Sequence, residues 1–214
     1  MDIAYLARRK KAGYTSYRLN RRIDALISSI RKYGMKDIGG ILEIGVADGM
    51  VLSAISNCFK VKRLAGIDIC PGALKYAPRG IRPLAGNCLK LPFKEGAFDI
   101  VIASCVLEHI RDIDGALFEI SRALKKNGLL FIILPNRIFD LVNSTFMKTY
   151  HVKSYSAGGI SGVLRKQGYS LVSSKYFMLC PFFKFPWELR LEEAFRRLSL
   201  GCLLFNHITV ARKV

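Results

Sequence analysis

The strongest restriction on this chain is an apolar run that stops in a turn of small residues. Residues 41–46 read as a short strand, and they lead into Gly45-Val46-Ala47-Asp48-Gly49. Residues 49–59 then suit a helix. Glycines between a strand and a helix let the backbone approach a ligand closely and aim the helix N-terminus at it. Few folds place such a turn at their first strand, so the neighbouring segments can be read against it.

Those segments alternate. Residues 63–69 form a second predicted strand, and Pro71 opens a short helix. Residues 81–85 are a weak third strand and 98–103 a strong fourth. Residues 110–126 read as a helix with Ile113, Leu117, Ile120 and Leu124 inward, ended by Asn127-Gly128 before a fifth strand at 129–134. Later come a helix at 156–167, a strand at 169–177, a helix at 186–200 and a strand at 202–212. This alternation predicts an α/β fold, Rossmann-like and doubly wound, with a mostly parallel seven-stranded sheet. The 214 residues suit one sizeable core.

Ahead of the first strand, Leu19, Ile23, Leu26, Ile27 and Ile30 share one helical stripe over residues 16–33, with Arg18, Arg21, Arg22 and Arg31 off it. Gly34 is a plausible terminator. Arg8-Arg9-Lys10-Lys11 suggests a basic arm. The expected division is an arm and amphipathic helix at 1–39, then a ligand-binding domain at 40–214.

The turn separates two ligand classes. A dinucleotide site wants G-x-G-x-x-G, whose last glycine falls on Met50. The alternative pattern, acidic-x-G-x-G-x-G, reads here as Glu43-x-Gly45-x-Ala47-x-Gly49, with only the middle glycine replaced. With Ala65-Gly66-Ile67-Asp68-Ile69, Gly86-Asn87-Cys88, the 98–109 segment and Leu124-Lys125-Lys126-Asn127-Gly128 following in order, the chain resembles the class I, S-adenosylmethionine-dependent methyltransferases of the type 11 group. The similarity covers about residues 40–135 well and 150–175 loosely.

The resemblance implies a cofactor site for S-adenosylmethionine. Gly45, Ala47 and Gly49 would let the backbone meet the methionine part and ribose, and Glu43 would help to hold the amino end. Asp68 would take the ribose hydroxyls, with Ile69 on the adenine. Asn87 stands where the family usually has Asp. Its amide oxygen can still accept from the adenine amino group, beside the Cys88 backbone N–H, while a plain turn residue is the other reading. Ser104 would lie under the methyl group. A structural turn capped by Asp48, and an ordinary solvated Asp68, are the bland alternatives for the first two motifs.

For catalysis His109 is the candidate base, since an imidazole titrates near neutrality. A packing or capping histidine at a helix start competes with that role, as does Glu108. His151 and Tyr150 precede the next helix, without an orientation. The cysteines form no C-x-x-C pair, and no His/Cys cluster has zinc spacing, so no metal is expected and the thiols are read as reduced, in a cytoplasmic protein.

The net charge of +18 is densest at the N-terminus and attracts phosphates of any origin. Six aromatics lie between Tyr176 and Trp187, namely those two with Phe177, Phe182, Phe183 and Phe185. They suit an apolar substrate pocket, or a lip at the inner membrane surface with Arg190, Arg196 and Arg197 meeting anionic lipid. Core packing under a crossover is the alternative. A small-molecule or lipid-linked substrate is expected, with RNA methylation and a non-catalytic binding module as competing functions. No run approaches the length of a bilayer span. Leu134-Pro135-Asn136 lacks the N-P-P-Y-type sequence used on planar amines.

Overall fold

The computed structural model describes residues 13–34, 37–139, 151–181, 184 and 186–214. Arg8-Arg9-Lys10-Lys11, Tyr150, Phe182, Phe183 and Phe185 lie outside the described residues. In chain order the elements are α1 (Gly13–Lys32), β1 (Asp37–Ile38), β2 (Ile41–Ile44), α2 (Met50–Ser56), β3 (Lys60–Val61), β4 (Leu64–Asp68), α3 (Pro71–Leu74) and β5 (Ile81–Ala85). There follow β6 (Phe98–Ser104), a 3-10 turn at Leu107–His109, α4 (Ile113–Ala123), β7 (Leu124–Pro135), α5 (Ala157–Lys166) and β8 (Tyr169–Phe177). The chain closes with α6 (Glu188–Arg197), a second 3-10 turn at Gly201–Leu203, and β9 (Asn206–Lys213).

The main sheet has seven strands in the order β5-β4-β2-β6-β7-β9-β8. The first five run parallel, and β9 is antiparallel to both of its neighbours. The predicted doubly wound, mostly parallel sheet is therefore present. Successive connections from β2 go first to one side, through β4 and β5, and then to the other, through β6 and β7. The crevice beyond the carboxyl end of β2 is thus a topological switch point, where open α/β sheets take their ligands.

Each face has its own apolar layer. Leu42, Ile44, Val101, Leu130 and Ile132 meet Leu117 and Ile120 of α4 and Ile160 and Leu164 of α5. Ile41, Ile100, Phe131 and Ile133 meet Leu52 and Ile55 of α2 and Leu19, Ile23, Leu26 and Ile30 of α1. The stripe read in the sequence is the face by which α1 joins the sheet's own core.

Three boundaries differ from expectation. Residues 110–126 are not one helix. Ile110 is extended, and the Asp112 side chain accepts from Gly115 N at 2.9 Å to start α4 afresh. The Lys125–Gly128 turn does not separate a helix from a strand. Leu124 already pairs with Phe98, and Asn127 takes φ 63° inside a register shift of β7. At the end of the chain, Gly201–Leu203 forms a tight turn before β9, so the strand begins later than position 202.

Candidate functional site

The glycine turn is shaped by backbone contacts. Gly45 N and Val46 N both donate to Ile67 O on β4, at 2.8 and 3.2 Å. Gly45 has φ 71°, and a Cβ there would sit 2.8 Å from the Val106 side chain. Gly49 has φ 73° and precedes α2, so Asp48 does not occupy the capping position. Ala47 is also left-handed, at φ 49°, and stands where the family pattern has glycine. The turn therefore makes at Ala47 the demand on the backbone that glycine meets without strain.

Asp68 fastens this turn to the end of β4. Its Oδ2 accepts from Ala47 N and its Oδ1 from Cys70 N, both at 2.9 Å, and it is only 4% exposed. Glu43 is equally buried on β2, between Gly66 of β4 and Ile102 of β6. A Cβ on Gly66 would lie 2.3 Å from Val46, so the strand beneath the turn must be glycine for Val46 to pack. Ile69, directly after the acid, is 71% exposed despite being apolar.

Asn87 is exposed, and its Oδ1 accepts from Leu89 N at 2.9 Å, which is the local turn that Asn side chains favour. Cys88 is buried, and burial pushes its thiol pKa up. The next few residues are pinned by α4. Glu119 Oε2 accepts from Leu91 N at 2.7 Å, and Arg122 donates to Leu91 O and Phe93 O at 2.9 and 2.7 Å. The two side chains also pair with each other, Arg122 Nε donating to Glu119 Oε1 at 2.8 Å, and this pair draws the Glu119 carboxyl down and the Arg122 guanidinium up.

Ser104 is half-buried at the end of β6, paired with Ile133. Cys105 follows at φ 53°, and burial pushes its thiol up. The charges of Arg22 and Arg18 of α1 draw that thiol back down, and that of Glu108 raises it. Glu108 is buried and His109 is exposed, both in the 3-10 turn. His151 stands against His109 with ring centroids 4.8 Å apart. Val152 N and Lys153 N donate to Glu108 O at 2.8 and 3.2 Å, and this clamp brings the two histidines together. Sequence spacing did not reveal the group, because its members come from separate segments.

The seam between α1 and α6 carries a second feature that the sequence did not reveal. Tyr17 bonds Glu188, and Arg21 pairs with Glu192 and, at 3.6 Å, with Glu188. Glu192 also accepts from Met178 N and Leu179 N at 2.9 and 3.2 Å. Arg196 turns inward, donating to Tyr176 O at 3.3 Å. Of the aromatic segment, Phe177 is buried and Trp187 is 73% exposed. Asn136 spends its amide on Leu204 O, at 2.8 Å, and on Cys202 O. Among the described residues, no helix is long and apolar enough to cross a membrane.

Residues 42–132 match the family described as Methyltransferase domain. The sterol 4-C-methyltransferase of Caenorhabditis elegans is 32% identical over 128 residues, 55% of this chain and 38% of that protein. An uncharacterized protein of Methanocaldococcus jannaschii is 30% identical over 150 residues, covering 67% of this chain and 64% of that one. The chain thus spans between 38% and 64% of the length of these relatives. A solved structure of an S-adenosylmethionine-dependent methyltransferase from Archaeoglobus fulgidus superposes with a TM-score of 0.69 at 19% identity, over 99% of this chain and all of that one.

Proposed function

We propose that this chain, whose residues 42–132 match the methyltransferase-domain family, transfers a methyl group from S-adenosylmethionine to a small-molecule or lipid-linked metabolite. The observation that carries the reading is the bridge from Asp68 to the glycine turn, at the switch point of the sheet.

The donor set fits an adenosyl ligand. Each Asp68 oxygen accepts one backbone N–H and keeps a second lone pair, so two ribose hydroxyls can be received together. Ile69 offers an uncovered apolar surface beside that acid. Buried Glu43 supplies negative charge for the ammonium end. The Gly45–Gly49 turn brings backbone toward the methionine part. Asn87 Oδ1 keeps a lone pair for the adenine amino group, and Cys88 N–H lies next to it in the chain. Ser104 ends the strand below the expected methyl position.

S-adenosylmethionine supplies an already activated methyl on a sulfonium centre. The protein's share is therefore to align the acceptor and exclude water. A base is needed only where the acceptor must lose a proton. His109, exposed at the edge of the crevice, fills that role for a hydroxyl acceptor. Replacing His109 by Ala then lowers turnover while leaving cofactor affinity in place. Unchanged turnover removes the residue from the mechanism.

The outer surface of α6 and of the segment that follows it to Leu203 supports a lipid-linked acceptor delivered at an anionic surface. Trp187, Leu189, Leu191, Leu198, Leu200 and Leu203 are all more than 40% exposed. Arg190 stands exposed among them. The similarity to a protein named for sterol methylation points the same way.

Calorimetry with S-adenosylmethionine tests the cofactor, and absence of binding at high micromolar ligand leaves only a non-catalytic module. Label uptake from methyl-labelled cofactor in fractionated extract identifies the acceptor. Sedimentation with anionic vesicles is expected. Salt-sensitive binding to transfer RNA without vesicle binding would replace the lipid reading with an RNA one.

A further inference from the structure

We propose that Glu108, His109 and His151 form a binding site for a divalent transition-metal ion of the zinc type, at the rim of the crevice. Their ligand atoms all lie within 4.8 Å of one another. Tetrahedral ligands at ordinary zinc distances are about 3.4 Å apart, so closure asks for a contraction of at most about 1.4 Å. Exposed His109 and half-buried His151 can supply that by side-chain rotation alone.

The backbone fixes the third ligand. Glu108 is 1% exposed, and its carbonyl accepts from both Val152 N and Lys153 N. The loop carrying His151 is therefore tied to the turn carrying His109 by bonds independent of the imidazoles. Two imidazoles and one carboxylate are a ligand set that leaves zinc an open position. The charges of Arg18 and Arg22 act on Cys105 together with that of Glu108, and they oppose a cation. The imidazoles bind neutral and the buried carboxylate supplies one unit of countercharge, so the ion is held by its ligand bonds against the field of the arginines.

The site follows β6 directly, on the carboxyl edge of the sheet. If the methyltransferase reading holds, an ion there would bind the acceptor's hydroxyl and lower its pKa, so that with the ion bound His109 would assist the proton loss as a ligand, and as a base only without it. Ion binding itself does not depend on that reading.

The test uses metal-stripped full-length chain without S-adenosylmethionine. Zinc is titrated while imidazole nitrogen resonances are followed, and cobalt substitution reports the ligand type by absorption. The expected result is a single bound ion, with His109 and His151 resonances shifting and that of buried His207 unmoved. His109→Ala and His151→Ala each weaken zinc binding by about tenfold or more. His109 is exposed, so its variant keeps the fold, as circular dichroism checks. No binding, or binding equal in both variants and carrying thiolate-to-cobalt absorption, overturns the proposal. Failure of S-adenosylmethionine binding with zinc binding intact would overturn only the methyltransferase reading.

Discussion

Around the glycine turn, the geometry comes from backbone contacts and from the absence of side chains. At the seam between α1 and α6, it comes from charged side chains held out of water. Gly45, Gly49 and Gly66 leave room for strands and turn to touch, and Asp68 closes the gap through main-chain N–H groups. At the seam, Arg21 and Glu192 are nearly buried, with side chains 14% and 3% exposed, and Glu192 also receives two backbone N–H groups. A turn of this kind tolerates little change in shape. A buried ion pair tolerates little change in charge, because either partner left alone retains its desolvation cost.

The largest expected effect is therefore at the seam. Glu192→Ala should cost about 3–4 kcal/mol in urea unfolding, because it leaves buried Arg21 only its longer contact with Glu188 and strands two amides. Hydrogen exchange should quicken first at Met178 and Leu179. A loss below about 1 kcal/mol would mean the pair is mostly solvated, and the contrast between the regions would fail.

His207 extends the test to pH. It is fully buried in β9, where its Nε2 donates to Tyr155 O at 3.3 Å and the neutral ring's Nδ1 accepts from Thr209 Oγ1 at 3.4 Å, and burial pulls its pKa down to about 4. The neutral form is favoured in the fold, so this contribution is complete above the unfolded value of about 6.5 and is lost as pH falls toward about 4. The loss is on the order of 3 kcal/mol from this group. His207→Gln should flatten the stability curve in that window, and an unchanged curve assigns the acid sensitivity elsewhere.

Gly66→Ala should cost about 2 kcal/mol by forcing a methyl against Val46. Adding Val46→Gly should restore much of it, since that removes the Val46 Cβ, which would lie 2.4 Å from the new methyl, along with both γ-methyls. Additive losses in the pair would show that the strand needs glycine for another reason. The smallest effect is at Ala47. Ala47→Gly relieves a left-handed alanine and should change stability by no more than about 1 kcal/mol, with cofactor affinity preserved. A large loss there would mean that the alanine methyl packs on the ligand.

Much of the sheet was legible because its signals are local. Apolar runs for β2, β6 and β7 need no distant partner to be recognised. The strands at 81–85 and 169–177 emerged with their predicted limits. The break between the 3-10 turn and α4 was hidden, because Ile113, Leu117 and Ile120 continue a pattern that the Asp112 cap interrupts. Arg21 was visible only as a residue off the apolar stripe. Its burial depends on α6, which comes far later in the chain.

By itself the sequence determined the order of strands and helices, the glycine turn and the acid that follows it, since each follows from residue type and short-range spacing. It also marked His109 as a titratable group near the turn. Only the tertiary structure decided what surrounds that group. Val152 and Lys153 are clamped to the Glu108 carbonyl, and this sets His151 against His109. The closing of α6 on α1 was decided in the same way, by contacts between residues that no local pattern connects.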